Sequence, residues 1–176
     1  MTALSPQPCA DPDCRGQRDP DERLALAVSI CGSRGARLTK MRLLTLKLLL
    51  ENRGPRGAYE LAEALKLRGA HSVRPPTVYR ALDFLMEQGL VSKIESRNAY
   101  IPCAHPERRH ICIFFICGSC EESVELEDQR LERLISEDAT LLEFSVARRV
   151  VEVEGTCKHC LAEDEANVTT GVGVRC

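Results

Sequence analysis

The sequence predicts an α+β chain of two modules, on three observations. Four helical runs, the last entered through two prolines, lead into a short hairpin. Residues 21–95 carry 13 Lys/Arg against 8 Asp/Glu, whereas residues 96–176 carry 9 against 15. Two Cys-x-x-Cys pairs, Cys117-Gly-Ser-Cys120 and Cys157-Lys-His-Cys160, stand about forty residues apart in the second half, a spacing that gathers four thiolates into a closed tetrahedral zinc site. Zinc carries no redox chemistry, so four sulfurs around it make a staple rather than a reaction centre. Buried apolar cysteines and disulfides are the alternatives.

Residues 1–20, rich in Pro, Asp, Arg and Gly and without an apolar period, are expected to be disordered; Cys9 and Cys14 lie there without an assignable role. From Asp21 onward, Leu24, Leu26, Ala27, Ile30 and Cys31 fall on one helical stripe, broken by Gly32 to Gly35. Thr39 is the expected N-cap of a second helix that reaches Glu51. Residues 53–57 read as a loop and 59–66 as a short third helix. Pro75 and Pro76 fix the entry to a fourth, on which Val78, Leu82 and Leu85 mark the apolar stripe and which Gly89 ends. Residues 90–95 and 98–103 follow as two short strands around a turn at Ser96-Arg97.

Helices followed by a hairpin are the order of a winged helix-turn-helix, assigned to residues 21–102, with the fourth helix as the reading helix. Tyr79 and Arg80 sit near its N-terminus and off the apolar stripe, where base and phosphate contacts are made in this geometry. The basic balance of this half suits a polyanion. The competing reading makes Tyr79 a rim residue of the core and Arg80 a solvated charge.

Residues 103–162 form the second module. Residues 111–117 are almost wholly apolar and read as a buried strand, leading into the first knuckle. An edge-like strand over 121–127 follows, then an amphipathic helix over 128–138 with Leu131, Leu134 and Ile135 on one face. Residues 142–147 and 150–155 read as two further strands, the last delivering Cys157, and 163–176 as a loose tail. A unit of about sixty residues with an exposed apolar edge is too small to stand alone, so a second copy is expected to cover it. The zinc knuckle would pin the last strand to the first.

Between the modules lie Cys103, His105, His110 and Cys112, with Glu125 just past the first knuckle. Such mixed S, N and O donors release metal more readily than four thiolates, and an ion at this hinge would set the angle between the modules. The competing reading makes His110 a polar surface residue and Cys103 a small core filler. The start of the chain has neither a basic n-region nor an apolar h-region, and no run approaches the ~18 apolar residues that span a bilayer. A cytoplasmic protein is therefore expected, without membrane contact, in which reduced cysteines mean metal. No Ser-His-Asp set or phosphate loop is present, and the first Cys-x-x-Cys follows a strand instead of opening a helix, so neither an enzyme nor a small-molecule substrate is expected.

Pro75-Pro-Thr-Val-Tyr-Arg-Ala-Leu-Asp-Phe-Leu, preceded by Arg37-Leu-Thr-Lys-Met-Arg and followed by the two Cys-x-x-Cys pairs, resembles the ferric uptake regulator superfamily. The resemblance is strongest to its zinc uptake regulator branch and covers roughly residues 22–160. It implies a homodimeric repressor that, with two zinc ions per protomer, binds AT-rich inverted repeats in double-stranded operator DNA. Structural zinc would fall on Cys117, Cys120, Cys157 and Cys160, and regulatory zinc on Cys103, His110 and Glu125. The family's remaining ligand, a His in the first wing strand, falls on Ser92, and His105 is the preferred substitute, with water or Glu95 next. DNA contacts would fall on Tyr79 and Arg80, with Thr77, Arg42 and Lys40 as further candidates. Glu63 and Lys66 match positions where adjacent dimers exchange salt bridges. A regulator answering to iron, manganese or oxidation is the alternative, disfavoured by the cysteine ligand and the scarcity of histidines.

Overall fold

The computed structural model describes residues 19–163 apart from Arg53, His71, Ser72, Arg109 and His110. The expectations for residues 1–18, for the tail beyond Glu163 and for His110 lie outside the described residues. Eleven elements follow in order: α1 (Pro20–Ser33), α2 (Lys40–Glu51), β1 (Arg56–Gly57), α3 (Ala58–Leu67), α4 (Pro75–Glu87), β2 (Val91–Ile94), β3 (Ala99–Pro102), β4 (Ile113–Cys117), β5 (Ser123–Leu126), α5 (Gln129–Leu141) and β6 (Val151–Gly155).

The first four helices pack on one apolar core. Leu49, Leu61, Leu65, Val78, Leu82 and Leu85 are fully enclosed in it, each worth about 1.5–3 kcal/mol relative to exposure. Helix α1 opens with Pro20 at its first position and the Asp19 carboxylate accepting from the Asp21 N–H at 3.2 Å. Thr39 does precede α2, but its hydroxyl makes no cap bond. The buried hydroxyl of the same helix is Thr45, whose Oγ1 donates to the Met41 carbonyl at 2.9 Å and so escapes the cost of an unmet polar group.

Helix α4 leaves through Gly89, whose φ of +67° admits a residue without Cβ most readily. Its N–H reaches the Met86 carbonyl at 2.9 Å and the Leu90 N–H reaches Leu85 at 2.9 Å, the paired bonds of a Schellman cap. That cap turns the chain straight into the wing. Strands β2 and β3 pair antiparallel from Val91 opposite Pro102 to Ile94 opposite Ala99. Residues 53–57 are not wholly loop: β1 joins the other side of β3, with Arg56 opposite Tyr100, making a three-stranded wing sheet.

In the second module β4 is central, antiparallel to β5 and parallel to β6. The expected strand over residues 142–147 is absent. Glu143 instead adopts φ +52°, and the Glu143 and Phe144 N–H groups bond the Thr140 and Ala139 carbonyls at 3.1 and 2.8 Å. A Schellman cap therefore consumes the residues whose alternation read as a strand. Strand β4 is buried at every position but Phe115. Phe115 lies opposite Val124 on β5 and Val153 on β6, and these three make an exposed apolar patch between buried Ile113 and Cys117. Helix α5 buries none of its residues, and Leu141, Leu142 and Phe144 beyond it are exposed as well.

The modules meet where the wing turn touches the second sheet. Ile94 packs on Phe114 and Ile116. The Glu152 carboxylate accepts from the Glu95 and Ser96 N–H groups at 2.6 and 3.1 Å, and the Arg97 guanidinium donates to the Cys117 carbonyl at 3.0 Å.

Candidate metal centres and nucleic-acid interface

Parallel pairing brings Cys117, the last residue of β4, level with Gly155, the last of β6, and the Gly118 N–H donates to the Gly155 carbonyl at 2.8 Å. Cys120 closes the turn after β4, and Cys157 and Cys160 follow β6 into a helical turn over 158–163. All four sulfurs converge within 4.8 Å of one another, with Cys117 to Cys160 at 3.9 Å and Cys120 to Cys157 at 3.7 Å. Four sulfurs around zinc at about 2.3 Å stand about 3.8 Å apart, so the set fits that ion. N–H donors of Cys120 and Cys157 pull the Cys117 thiol down to about 6. Cys160 is pushed up, first by its contact with Cys157 and then by burial. Zinc takes its cysteine ligands as thiolates, so binding here releases the protons that the thiols hold.

A second cluster lies at the junction of the modules: Cys103, Cys112 and Glu125 place their donor atoms within 4.8 Å of one another. Cys103 follows β3, where its N–H continues the wing by donating to the Leu90 carbonyl at 3.0 Å. Cys112 immediately precedes β4, and Glu125 stands on β5 opposite Phe114. The Ala104 N–H donates to Glu125 Oε2 at 3.2 Å, and Arg23 donates to the Cys103 carbonyl at 2.8 Å. The Cys103 thiol is held far up its range by its bond with Cys112, then by burial, then by the Glu125 charge. Two thiols and a carboxylate gathered this closely form a donor set suited to a divalent cation.

Two of the four residues expected at this centre, Cys103 and Glu125, are therefore brought together, while His110 lies outside the described residues. His105 is buried and its backbone bonds the Cys103 thiol, but its ring is not among the three grouped donors, and its Nδ1 lies 3.1 Å from a Glu107 carboxylate oxygen. Glu95 is engaged elsewhere, its carboxylate bonded by Lys93 at 2.7 Å and by Arg148. The sequence names Cys112 among the donors near the hinge but gives it no place in the expected ligand set. Its position directly before an apolar strand carries no spacing signal, and only the fold puts it beside Cys103.

On α4, Thr77 and Arg80 are exposed and Tyr79 is half-buried, its ring edge-on to that of Tyr59 at 6.4 Å between centroids. Tyr79 is thus a rim residue of the core that keeps part of its ring in solvent. Lys40 is exposed at the start of α2. Arg42 lies 3.5 Å over the Phe84 ring and donates to the Arg37 carbonyl at 2.6 Å, which fixes its guanidinium beside the reading helix. Glu63 and Lys66 pair with each other within the protomer at 2.7 Å.

Fold and sites together define a class: a winged helix-turn-helix protein joined to a thiol-lined sheet by a second donor cluster. The chain matches the Ferric uptake regulator family over residues 33–154 and belongs to it. It is 38% identical over 141 residues to the zinc uptake regulation protein of Escherichia coli strain K12, covering 80% of this chain and 82% of that one. Among solved structures, a zinc uptake regulator complexed with zinc and DNA superposes with a TM-score of 0.81 at 36% identity, covering 85% of this chain and 99% of that one. Holo XcZur superposes at 0.74 and 39% identity, covering 82% and 99%. Among the described residues no helix is long and apolar enough to cross a membrane.

Proposed function

We propose that this protein is a zinc-responsive transcriptional repressor that binds operator DNA of metal-uptake genes as a homodimer. The observation that carries this reading is the pair of donor clusters on a winged-helix chain, one inside the second sheet and one at the junction of the modules. The likeness to zinc uptake regulation proteins, one of them solved with zinc and DNA, supports it.

Cys117, Cys120, Cys157 and Cys160 would hold a permanent ion that locks β6 against β4. Cys103 and Glu125 would hold the responsive one, and zinc there supplies a crosslink between the end of the wing and β5. The chain's own residues do the rest. Phe115, Val124 and Val153 offer an apolar face, with exposed Phe144 beyond α5, that a second copy covers, since an amphipathic helix with no buried residue is unfinished alone. Arg80, Thr77 and Lys40 present donors to phosphates and base edges, while Tyr79 lends its ring. With the modules fixed, two reading helices about 34–36 Å apart meet successive major grooves. Moving such an equilibrium from rare to dominant takes a differential affinity of about 10⁴-fold.

The test is zinc content per protomer alongside operator binding at buffered free zinc. Two ions and graded DNA affinity are expected; operator binding equally tight after chelation would overturn the reading. Iron and manganese enter the same assay as competitors, and a stronger response to either would transfer the function to that metal.

A further inference from the structure

We infer that Cys112 is a direct ligand of the responsive ion, making the junction site a two-thiolate centre of Cys103, Cys112 and Glu125. The inference rests on the proposed regulatory role of Cys103 and Glu125 and goes beyond it in the donor set and metal preference.

Three segments converge on one point. Cys103 leaves the wing, Cys112 enters the central strand, and Glu125 faces them from the neighbouring strand, all donor atoms lying within 4.8 Å. The thiol of Cys112 is only part-buried and stands 3.4 Å from the Ser92 hydroxyl of β2. Ser92 and Cys112 also line a cleft of about 330 Å³ between the wing and the second sheet. Cys112 therefore occupies the space into which a longer donor at position 92 would reach, and the short serine leaves that space to sulfur.

The chemistry sets the consequence. A second thiolate softens the site, favouring zinc and cadmium over iron(II) and manganese(II), which prefer oxygen and nitrogen donors. It also changes what the ion joins. Cys112 anchors it to the residue just before β4, so the crosslink runs from the wing to β4 and β5 rather than to β5 alone.

The test uses cobalt(II) as a spectroscopic stand-in for zinc in the full-length dimer. Sulfur-to-cobalt charge-transfer absorbance grows with the number of cobalt–sulfur bonds. In the wild-type protein, filling the junction site should add half the intensity that the four-cysteine site gives; a quarter would overturn the inference without any variant. Cys112→Ser should then halve the junction intensity, weaken zinc there at least about 10–100-fold in chelator competition, and leave one tightly held ion per protomer. Adding Ser92→His to Cys112→Ser should restore affinity while the charge-transfer intensity stays at the one-thiolate level. Unchanged intensity in Cys112→Ser, with the second ion still bound, would sink the Cys112 assignment and spare the regulatory site. A wild-type protein that takes up no second ion would sink both.

Discussion

Replacing Glu152 by Gln should loosen the joint between wing and sheet without touching either metal centre. The carboxylate on β6 accepts two backbone N–H groups of the wing turn, from Glu95 at 2.6 Å and Ser96 at 3.1 Å. A glutamine keeps one carbonyl acceptor and gives up the charge. Hydrogen bonds to a charged acceptor contribute about 1.5–3 kcal/mol, and partial exposure puts these at the lower end. Losing one and weakening the other should therefore cost roughly 1–2 kcal/mol, about 5–30-fold in the docked-to-undocked ratio. Burial alone would raise the Glu152 carboxyl, but the Ser96 and Glu95 donors outweigh it and hold it below its ordinary value of 4.5. The latch is accordingly complete above that value and is lost as pH falls through the lowered one. Amide hydrogen exchange reads this directly. The Glu95 and Ser96 amides should exchange about 5–30-fold faster in the variant at neutral pH. Unchanged protection would mean that Ile94, Phe114 and Ile116 hold the joint by themselves and that the charge contributes nothing.

Cys117→Ser should cost the second module its fold, because a structural zinc contributes on the order of 10 kcal/mol to folding; a folded dimer retaining the tight ion would contradict this. Arg80→Ala should weaken operator binding by about 1–3 kcal/mol, with the salt slope falling by about one if the contact is to phosphate, and equal affinity in a gel shift would remove Arg80 from the interface. Phe115→Asp should yield monomers in sedimentation at micromolar protein with the helical core intact, since its ring is exposed in the single chain; persistent dimers would move the contact surface elsewhere. Gly89→Ala, forced to φ +67°, should destabilise the winged helix by about 1 kcal/mol in thermal unfolding.

The helices and the wing hairpin were legible because their signals are local. The apolar stripe of α4 and its glycine exit lie within fifteen residues, and the two prolines set its entry. The four-cysteine site was legible because metal ligation imposes spacing. What escaped was settled by partners distant in sequence. Strand β1 exists only because β3 arrives beside Arg56 and Gly57. Residues 142–147 alternate like a strand, yet Glu143 spends its backbone in closing α5. Cys112, one of the hinge donors named from the sequence, gained a place in the ligand set only from its distance to Cys103 and Glu125, while Nδ1 of His105, the preferred substitute for the missing ligand, lies beside Glu107.

The parallel union of β4 with β6 carries a consequence for biogenesis. A nascent chain finishes its operator-reading half, wing included, before the ribosome has made Cys157, and until β6 emerges the central strand lacks one neighbour and the knuckle half its sulfurs. With zinc at these cysteines as proposed, the ion would first be needed during maturation, when the last strand is captured, and scarcity at that moment would leave the first half synthesised but its second sheet incomplete.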